Sequence, residues 1–241
     1  MKMKSAKDNL RVKLFADGAN LQAMIDMASK KHIAGLTTNP TLMNKAGVTD
    51  YVRFAHQILS EVPDKPISFE VFSDDLEEMR IQAEKISSWG ENVYVKIPIT
   101  NTRAQSTAPL IRHLTELGIK VNITAIMTIN QVEAITEVLN PKVNSFVSIF
   151  AGRIADTGRD PIPVIKRTLE ILSINSNAEI IWASPRELLN VIQADQVGCH
   201  IITATNDILA KLDLLEYDLD LYSLDTVKMF YNDAVKAGYK F

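Results

Sequence analysis

The sequence predicts a single (β/α)8 barrel that is followed by an additional C-terminal helix. Eight short apolar runs rich in β-branched residues recur along the chain, and amphipathic stretches with apolar residues at three- and four-residue steps separate them. Continuous apolar runs are typical of parallel strands that helices cover on the outside. No linker or shift in composition divides the 241 residues, and TIM barrels of this kind take roughly 250 residues. We therefore expect one domain over residues 1–241.

The apolar runs and the amphipathic stretches give the order of the elements. The predicted strands are Val12–Ala16, Gly35–Asn39, Pro66–Phe72, Val93–Ile99, Val121–Ile126, Phe146–Phe150, Glu179–Ala183 and His200–Ala204. The predicted helices between them are Leu21–Lys31, Asp50–Glu61, Asp74–Trp89, Thr102–Leu117, Ile129–Val138, Pro161–Ile174 and Arg186–Ala194. An open doubly wound sheet is the alternative, but the glycine-rich first turn typical of that fold is absent from the sequence.

A last helix is predicted over Ser223–Ala237, beyond the eighth β/α unit. Residues 223–241 carry the aromatic side chains Phe230, Tyr231, Tyr239 and Phe241. These side chains can pack on the barrel of the same chain or on a neighbouring subunit, and the sequence leaves both arrangements open.

Composition excludes several functional classes. With 26 Lys and Arg against 29 Asp and Glu, the formal net charge is −3, whereas a nucleic-acid binder usually has a strongly basic face. No run approaches the ~18 apolar residues of a membrane span, and no apolar stretch follows the basic segment Met1–Ser5 as it would in a signal peptide. The single cysteine, Cys199, fits a reducing compartment. The histidines are too far apart for a metal motif. We expect a cytoplasmic protein with no metal, no cofactor and no nucleic-acid or membrane partner.

Polar residues interrupt or directly follow the apolar runs, where the active site of such a barrel lies. They are Asp17, Thr37, Thr38, Asn39, Glu70, Lys96, Asn122, Thr124, Ser148, Arg153, Ser184, Arg186, Thr203 and Thr205.

Lys96 stands out because the segment Val93–Ile99 is otherwise apolar. A buried ammonium group costs several kcal/mol unless it is paired or neutral, and a neutral lysine amine can attack a carbonyl carbon to form a Schiff base. Asp17 and Glu70 can divide acid and base duties between them. The alternative is that either carboxylate is only the counter-ion of a structural lysine.

Two further pairs of polar residues suit a substrate site. Asn122 and Thr124 lie two residues apart on one strand, so they point the same way and can orient a water or a substrate hydroxyl. Arg153 and Arg186 follow adjacent strands, and two arginines at one rim suit a phosphate group. Each arginine alone would more often form a surface ion pair.

The polar segments, taken in order, resemble those of the transaldolase family of class I aldolases, in its compact transaldolase and fructose-6-phosphate aldolase-like subgroup. The resemblance rests on the GLTTNPTL, VKIP, NITA, FAGRI and ASPR segments at Gly35–Leu42, Val95–Pro98, Asn122–Ala125, Phe150–Ile154 and Ala183–Arg186. Five motifs in the same order on five predicted strands make the resemblance specific.

The resemblance implies catalytic roles for four residues. Lys96 would form the imine with a ketose phosphate, and Asp17 would exchange the proton of the C4 hydroxyl as the carbon–carbon bond breaks. Glu70 and Thr124 would hold the water that relays a proton to and from the imine. The protonated imine acts as an electron sink, so the chemistry needs no metal.

The resemblance also implies a set of substrate-binding residues. Asn39 and Asn122 would hold the hydroxyls of a dihydroxyacetone unit, Arg153 and Arg186 would bind the terminal phosphate, and Phe150 would form a wall of the site. The complete set is Thr38, Asn39, Asn122, Ser148, Phe150, Arg153, Ser184 and Arg186. The resemblance to compact members further implies a ring-like homo-oligomer, a pentamer or a decamer, in which the terminal helix reaches a neighbour.

The resemblance favours a transferase over a lyase, because the aldolases of the family carry Gln and Tyr where this chain has Glu70 and Phe150. Three differences from the family pattern, Gly18-Ala19 after the aspartate, Pro185 and the bulky Trp182, are expected to reshape the acceptor pocket.

We therefore expect a transaldolase of the non-oxidative pentose phosphate pathway. It would move dihydroxyacetone from fructose 6-phosphate or sedoheptulose 7-phosphate to erythrose 4-phosphate or glyceraldehyde 3-phosphate. The alternatives are an aldolase that releases free dihydroxyacetone, a relative that acts on a sugar with another anionic group, and a non-catalytic barrel that binds sugar phosphates.

Overall fold

Eight parallel strands close into a barrel in which each strand pairs with the next and β8 pairs with β1. The strands are β1 (Lys13–Asp17), β2 (Ile33–Thr37), β3 (Ile67–Glu70), β4 (Val93–Pro98), β5 (Val121–Ile126), β6 (Ser145–Ile149), β7 (Ala178–Trp182) and β8 (Ile201–Thr205). The computed structural model describes residues 9–240, so the segment Met1–Ser5 and Phe241 lie outside the described residues. The predicted (β/α)8 barrel is confirmed.

Helices follow the strands in turn. They are α1 (Leu21–Ala28), α2 (Pro40–Lys45), α3 (Tyr51–Glu61), α4 (Leu76–Ser87), α5 (Ala108–Glu116), α6 (Ile129–Thr136), α7 (Ala151–Ala155), α8 (Ile162–Leu172), α9 (Leu189–Val197), α10 (Asn206–Leu209), a 3-10 helix (Ala210–Leu214) and α11 (Leu219–Ala237). The short helices α2 and α7 were not predicted, and both lie at the carboxyl end of the barrel, directly after β2 and β6.

The fourth predicted helix, Thr102–Leu117, was placed too early, since α5 begins only at Ala108. The side-chain oxygen of Asn101 accepts hydrogen bonds from the backbone amides of Arg103 and Gln105, both at 3.0 Å. Such local side-chain bonds offer the backbone an alternative to the helix. The chain therefore forms a turn before the helix starts.

The barrel interior below the strand ends is filled by apolar side chains. Phe15, Tyr94, Phe146, Ile181 and Ile201 form this inner cluster, and all of them are buried. A second and larger core lies between the outside of the barrel and the helices. The interior is thus packed, and only the carboxyl end of the barrel remains open for a site.

The terminal helix α11 differs from the others because none of its residues is buried. Its exposed large apolar side chains include Leu219, Leu221, Tyr222, Leu224, Val227, Met229, Phe230, Tyr231 and Val235. Packing of this helix on its own barrel, one of the two arrangements that the sequence left open, is therefore not observed in the described chain. Within residues 9–240 the helices are too short or too polar to cross a lipid bilayer.

Candidate active site

A cavity of about 460 Å³ opens at the carboxyl ends of the strands. Except for Thr38, every residue that was assigned a catalytic or substrate-binding role from the sequence lines it. These residues are Asp17, Asn39, Glu70, Lys96, Asn122, Thr124, Ser148, Phe150, Arg153, Ser184 and Arg186. Thr205, one of the other polar residues at the strand ends, does not line the cavity. The closure of the barrel brings them together, because parallel strands end at the same face.

Lys96 lies at the centre of β4 and points into the barrel. Lys96 is 7% exposed, and its Nζ lies 3.1 Å from Oε2 of Glu70. The Nζ also donates a hydrogen bond to the backbone carbonyl of Thr38 at 3.0 Å. Glu70 pairs with Lys96 in the β3–β4 register, so the sheet itself sets this contact. The amine is desolvated, yet it borders the cavity.

Asp17 ends β1 and lies across the cavity from β4. The hydroxyl of Thr37 donates to its Oδ1 at 2.8 Å, and this hydroxyl lies 2.5 Å from that of Thr203. The amide of Asn39 approaches Oδ2 at 3.4 Å. Burial raises the pKa of Asp17 above its ordinary value, while the nearby Lys96 and the Thr37 hydrogen bond oppose the shift. The carboxyl group is therefore well suited to bind and release a proton.

The TTN segment after β2 explains how Thr38 and Asn39 differ. Asn39 is the N-cap of α2, and its side-chain oxygen accepts the backbone amide of Leu42 at 3.0 Å, which directs its NH2 group toward Asp17. Thr38 is fully buried, and its hydroxyl donates to the carbonyl of Ser68 at 2.9 Å. Thr38 therefore reaches the site only through its backbone carbonyl.

The floor of the cavity is a hydrogen-bond network between neighbouring strands. The hydroxyl of Ser148 donates to Oδ1 of Asn122 at 2.7 Å, and the NH2 group of Asn122 donates to the hydroxyl of Ser68 at 2.9 Å. Both bonds are buried and fix the orientation of the amide. The hydroxyl of Thr124 is buried too, but it makes no hydrogen bond within residues 9–240.

The two arginines lie at the rim of the cavity on the side of β6 and β7. Arg153 belongs to α7, and Arg186 follows β7. The Nε of Arg186 donates to Oδ1 of Asp156 at 2.9 Å, and its Nη2 donates to Oδ2. The hydrogen bonds from Arg186 lower the pKa of Asp156, and Asp156 in turn raises the pKa of Arg186.

Two residues of the cavity wall have a left-handed backbone although they are not glycines. Ala125 has φ 62° and Ser184 has φ 61°. Ala125 lies where the β5–β6 register shifts between Ile123 and Ile126. A left-handed alanine costs about 1 kcal/mol or more, and such strain is typically found at functional sites.

The structure corrects one expectation and adds residues that the sequence did not assign to the site. Trp182 was expected to reshape the acceptor pocket, and this was wrong. Strand alternation points Ile181 into the barrel and buries Trp182 in the outer core. Lys45 lines the cavity from α2. It lies six residues after Asn39, but α2 was not predicted, so nothing in the sequence placed the Lys45 side chain at the cavity. Asp156 was also missed.

No cluster of three or more His, Cys, Asp or Glu side chains suited to a metal ion occurs in the described part of the chain. The polar groups of the cavity are instead the amines of Lys45 and Lys96, two carboxyls, amides, hydroxyls and guanidinium groups. This set can form an imine, move protons and bind an anion.

The family model described as transaldolase/fructose-6-phosphate aldolase matches residues 14–239. The chain belongs to the transaldolase/fructose-6-phosphate aldolase family. A relative named "probable transaldolase" from Dehalococcoides mccartyi is 33% identical over 202 residues, which are 83% of this chain and 90% of the relative. Another of that name, from Thermoanaerobacter sp., is 32% identical over 95% of this chain and 100% of its own length. The chain is thus an enzyme of the transaldolase/aldolase family.

Solved structures of lower sequence identity share the fold of this enzyme. A dihydrodipicolinate synthase family protein from Coccidioides immitis has a TM-score of 0.58 at 16% identity, over 95% of this chain and 78% of the other. A 2,3-dimethylmalate lyase has a TM-score of 0.53 at 12% identity, over 97% and 86%. At these identities the likeness concerns the barrel alone.

Proposed function

We propose that this enzyme is a transaldolase that transfers a dihydroxyacetone unit from a ketose phosphate to an aldose phosphate through a Schiff base on Lys96. The observation that carries the proposal is the position of the Lys96 amine. It is buried on β4, 3.1 Å from a carboxylate oxygen of Glu70, and it still borders the cavity. A structural lysine would need a partner but no opening to a substrate-sized space.

In the first step the Lys96 amine attacks the C2 carbonyl of the ketose. The carbonyl oxygen leaves as water after protonation, and a protonated imine remains. Glu70 is close enough to Lys96 to accept a proton from the attacking amine. The buried hydroxyl of Thr124 borders the same cavity, so it can hold the water that exchanges protons with the imine.

In the second step the C3–C4 bond breaks. Asp17 takes the proton of the C4 hydroxyl, the aldose phosphate leaves as an aldehyde, and the bonding electrons move into the imine to form an enamine. The raised pKa of Asp17 favours uptake of this proton. The reverse steps on a new aldehyde then complete the transfer, with Asp17 returning the proton to the new hydroxyl.

The rim and the floor of the cavity hold the two ends of the substrate. The dihydroxyacetone hydroxyls match Asn39 and the Asn122–Ser148 network. The phosphate matches Arg153 and Arg186, which lie on one side of the rim. We propose fructose 6-phosphate and sedoheptulose 7-phosphate as donors, and erythrose 4-phosphate and glyceraldehyde 3-phosphate as acceptors, in the non-oxidative pentose phosphate pathway.

The decisive experiment measures glyceraldehyde 3-phosphate release from fructose 6-phosphate, with and without erythrose 4-phosphate. A transaldolase releases it in step with the acceptor and forms sedoheptulose 7-phosphate. Sustained release without an acceptor would show the aldolase activity instead, with free dihydroxyacetone as the second product.

A second experiment tests the Schiff base itself. Borohydride reduction in the presence of fructose 6-phosphate should attach the three-carbon unit to the peptide that contains Lys96. The Lys96→Ala variant should take no label. A protein that binds the sugar phosphate without labelling is the non-catalytic barrel.

We also propose that α11 packs on a neighbouring copy of the chain, because its apolar side chains are uncovered in the described structure. Val227 and Tyr231 lie one turn apart on this helix and are both exposed. Sedimentation should show several times the mass of one chain, and the double change Val227→Asp and Tyr231→Asp should lower it. Lys236→Asp on the same helix is the control.

We propose a reducing cytoplasm as the compartment of the protein, because it suits the unpaired Cys199.

A further inference from the structure

Asp156 holds the side chain of Arg186 at the edge of the cavity. Two of the guanidinium nitrogens, Nε and Nη2, donate to the two carboxylate oxygens of Asp156. Arg186 lines the cavity, whereas Asp156 does not, so the carboxylate lies behind the guanidinium group. This parallel double contact fixes the plane of the guanidinium group. The remaining N–H groups, on Nη1 and on the far side of Nη2, have no hydrogen-bond partner within residues 9–240 and can bind an anion.

The backbone on both sides of this ion pair is fixed as well. The amide of Asp156 donates to the carbonyl of Gly152 at 2.9 Å. A Cβ on Gly152 would lie 1.5 Å from the carbonyl oxygen of Ser184, so only glycine lets α7 approach the chain after β7 this closely. The amide of Arg186 donates to Oδ1 of Asn190 at 2.7 Å. Helices α7 and α9 therefore hold the pair between them.

Stability does not account for this arrangement. The side chains of Arg186 and Asp156 are 44% and 46% exposed, and exposed ion pairs contribute little to the free energy of unfolding. A carboxylate beside an anion-binding arginine also repels the anion. Its presence at this place therefore needs a reason that outweighs the repulsion.

We propose that Asp156 is a positioning residue that holds Arg186 in the orientation that binds the phosphate of the acceptor. A free arginine at the rim would sample several rotamers, and each binding event would have to order it. The Asp156 contact orders the side chain before the substrate arrives, which lowers this cost of binding. The identity of the anion as a phosphate rests on the proposed function. The oriented Arg186 side chain makes the enzyme selective for phosphorylated aldehydes.

Charge and position predict opposite effects of removing the carboxylate. If only the charge of Asp156 mattered, Asp156→Asn would remove a repulsion and tighten phosphate binding. If Asp156 positions Arg186, the same change leaves at most one hydrogen bond to the guanidinium group and weakens phosphate binding. The sign of the change therefore distinguishes the two roles.

The test compares Asp156→Asn and Asp156→Ala with the wild-type protein. We expect the dissociation constant of inorganic phosphate, measured by calorimetry, to rise about tenfold, and the KM for erythrose 4-phosphate to rise by a similar factor. The kcat, and the KM for unphosphorylated erythrose, should change less than about twofold. Asp156→Glu, which keeps the charge and both oxygens, should restore part of the affinity.

Glu77→Gln is the matched control. It changes the net charge by the same amount and removes another exposed Arg–carboxylate contact, to Arg80 on α4, away from the residues that line the cavity. Unchanged or tighter phosphate binding in Asp156→Asn would overturn the proposal. So would an equal loss for both acceptors, or a wild-type protein that does not bind phosphate. Failed borohydride labelling of Lys96 would instead refute the proposed function, and the phosphate measurement would still decide the role of Asp156.

Discussion

The barrel interior has two layers of opposite chemistry on the same strands. The lower layer is aromatic and aliphatic, and the upper layer is polar and lines the cavity. Residues two positions apart contribute one side chain to each layer, namely Phe15 and Asp17 on β1, Tyr94 and Lys96 on β4, Phe146 and Ser148 on β6, and Ile201 and Thr203 on β8. A spacing of two keeps both side chains on the inner face.

The two layers are held together by different forces. In the lower layer the rings of Tyr94 and Phe146 stack at 3.9 Å, and Phe15 meets Phe146 edge-on at 5.6 Å. In the upper layer hydrogen bonds and one ion pair join side chains from different strands. Each of these strands therefore stabilises the fold with its first inward residue and supplies a polar group to the cavity with its second. Changes in the two layers should therefore have separable effects.

The largest effect is expected from Lys96→Met in the upper layer. Methionine fills a similar volume but cannot form an imine, so turnover should fall by on the order of 10³-fold or more. Glu70 loses its partner but borders the open cavity, which limits the cost to less than about 2 kcal/mol. Turnover and chemical unfolding measured on the same preparation check both values. Turnover within tenfold of wild type would contradict the proposed role of the amine.

The next effect is expected from Phe146→Ala in the lower layer. Removing this ring from between Phe15 and Tyr94 leaves a cavity, which should lower the free energy of unfolding by about 3–5 kcal/mol. The residue does not line the active-site cavity. Turnover of the folded protein, measured well below its Tm, should therefore stay within a few-fold of wild type. A loss of turnover as large as that of Lys96→Met would mean that the layers are not separable.

The strands of both layers could be predicted from the sequence, because buried parallel strands are continuous apolar runs. The upper layer could be predicted for a related reason. A lysine within the apolar β4, or a carboxyl group at the end of β1, is costly to bury unless it is paired or hydrogen-bonded, so either residue indicates a polar site. The bounds of β2 were less accurate, since Ile33–Thr37 begins before the predicted Gly35.

Contacts between elements that are distant in the sequence could not be predicted. The ion pair of Asp156 and Arg186 depends on the close approach of α7 to the chain after β7, which Gly152 permits. No periodic pattern indicates this approach. The five-residue α7 was missed for the same reason, since it is held by tertiary packing and is too short for a helical pattern to appear.

Gly35→Ala tests how tightly the lower layer packs against β2. Gly35 lies on β2, two residues before Thr37, and a Cβ at this position would lie 2.5 Å from the ring of Phe15. The Phe15 ring is rigid, so the whole ring must move to make room for the Cβ. Overpacking of this kind lowers the free energy of unfolding by about 1–3 kcal/mol. We expect a lower Tm with near-normal KM. Gly118→Ala, in open space but with φ +80°, is the comparison that has backbone strain without overpacking. A Tm unchanged from wild type would show that the lower layer is loosely packed.

The smallest change in stability is expected from Asp17→Asn, and its sign is opposite to that of the other variants. Burial raises the pKa of Asp17 above the ordinary 3.8. The folded state therefore binds the carboxyl proton more tightly than the unfolded state does. Ionisation of Asp17 then lowers the free energy of unfolding as the pH rises through the folded-state pKa. Asparagine removes that cost and still accepts the Thr37 hydroxyl. The variant should therefore be more stable than wild type at pH 7, and this difference should vanish as the pH falls toward 3.8. Urea unfolding of both proteins across this pH range gives the difference in the free energy of unfolding. An activity assay on the same preparations should show that the more stable variant has lost turnover. A variant less stable than wild type at pH 7 would mean that the contacts of Asp17 with Lys96 and Thr37 outweigh its burial.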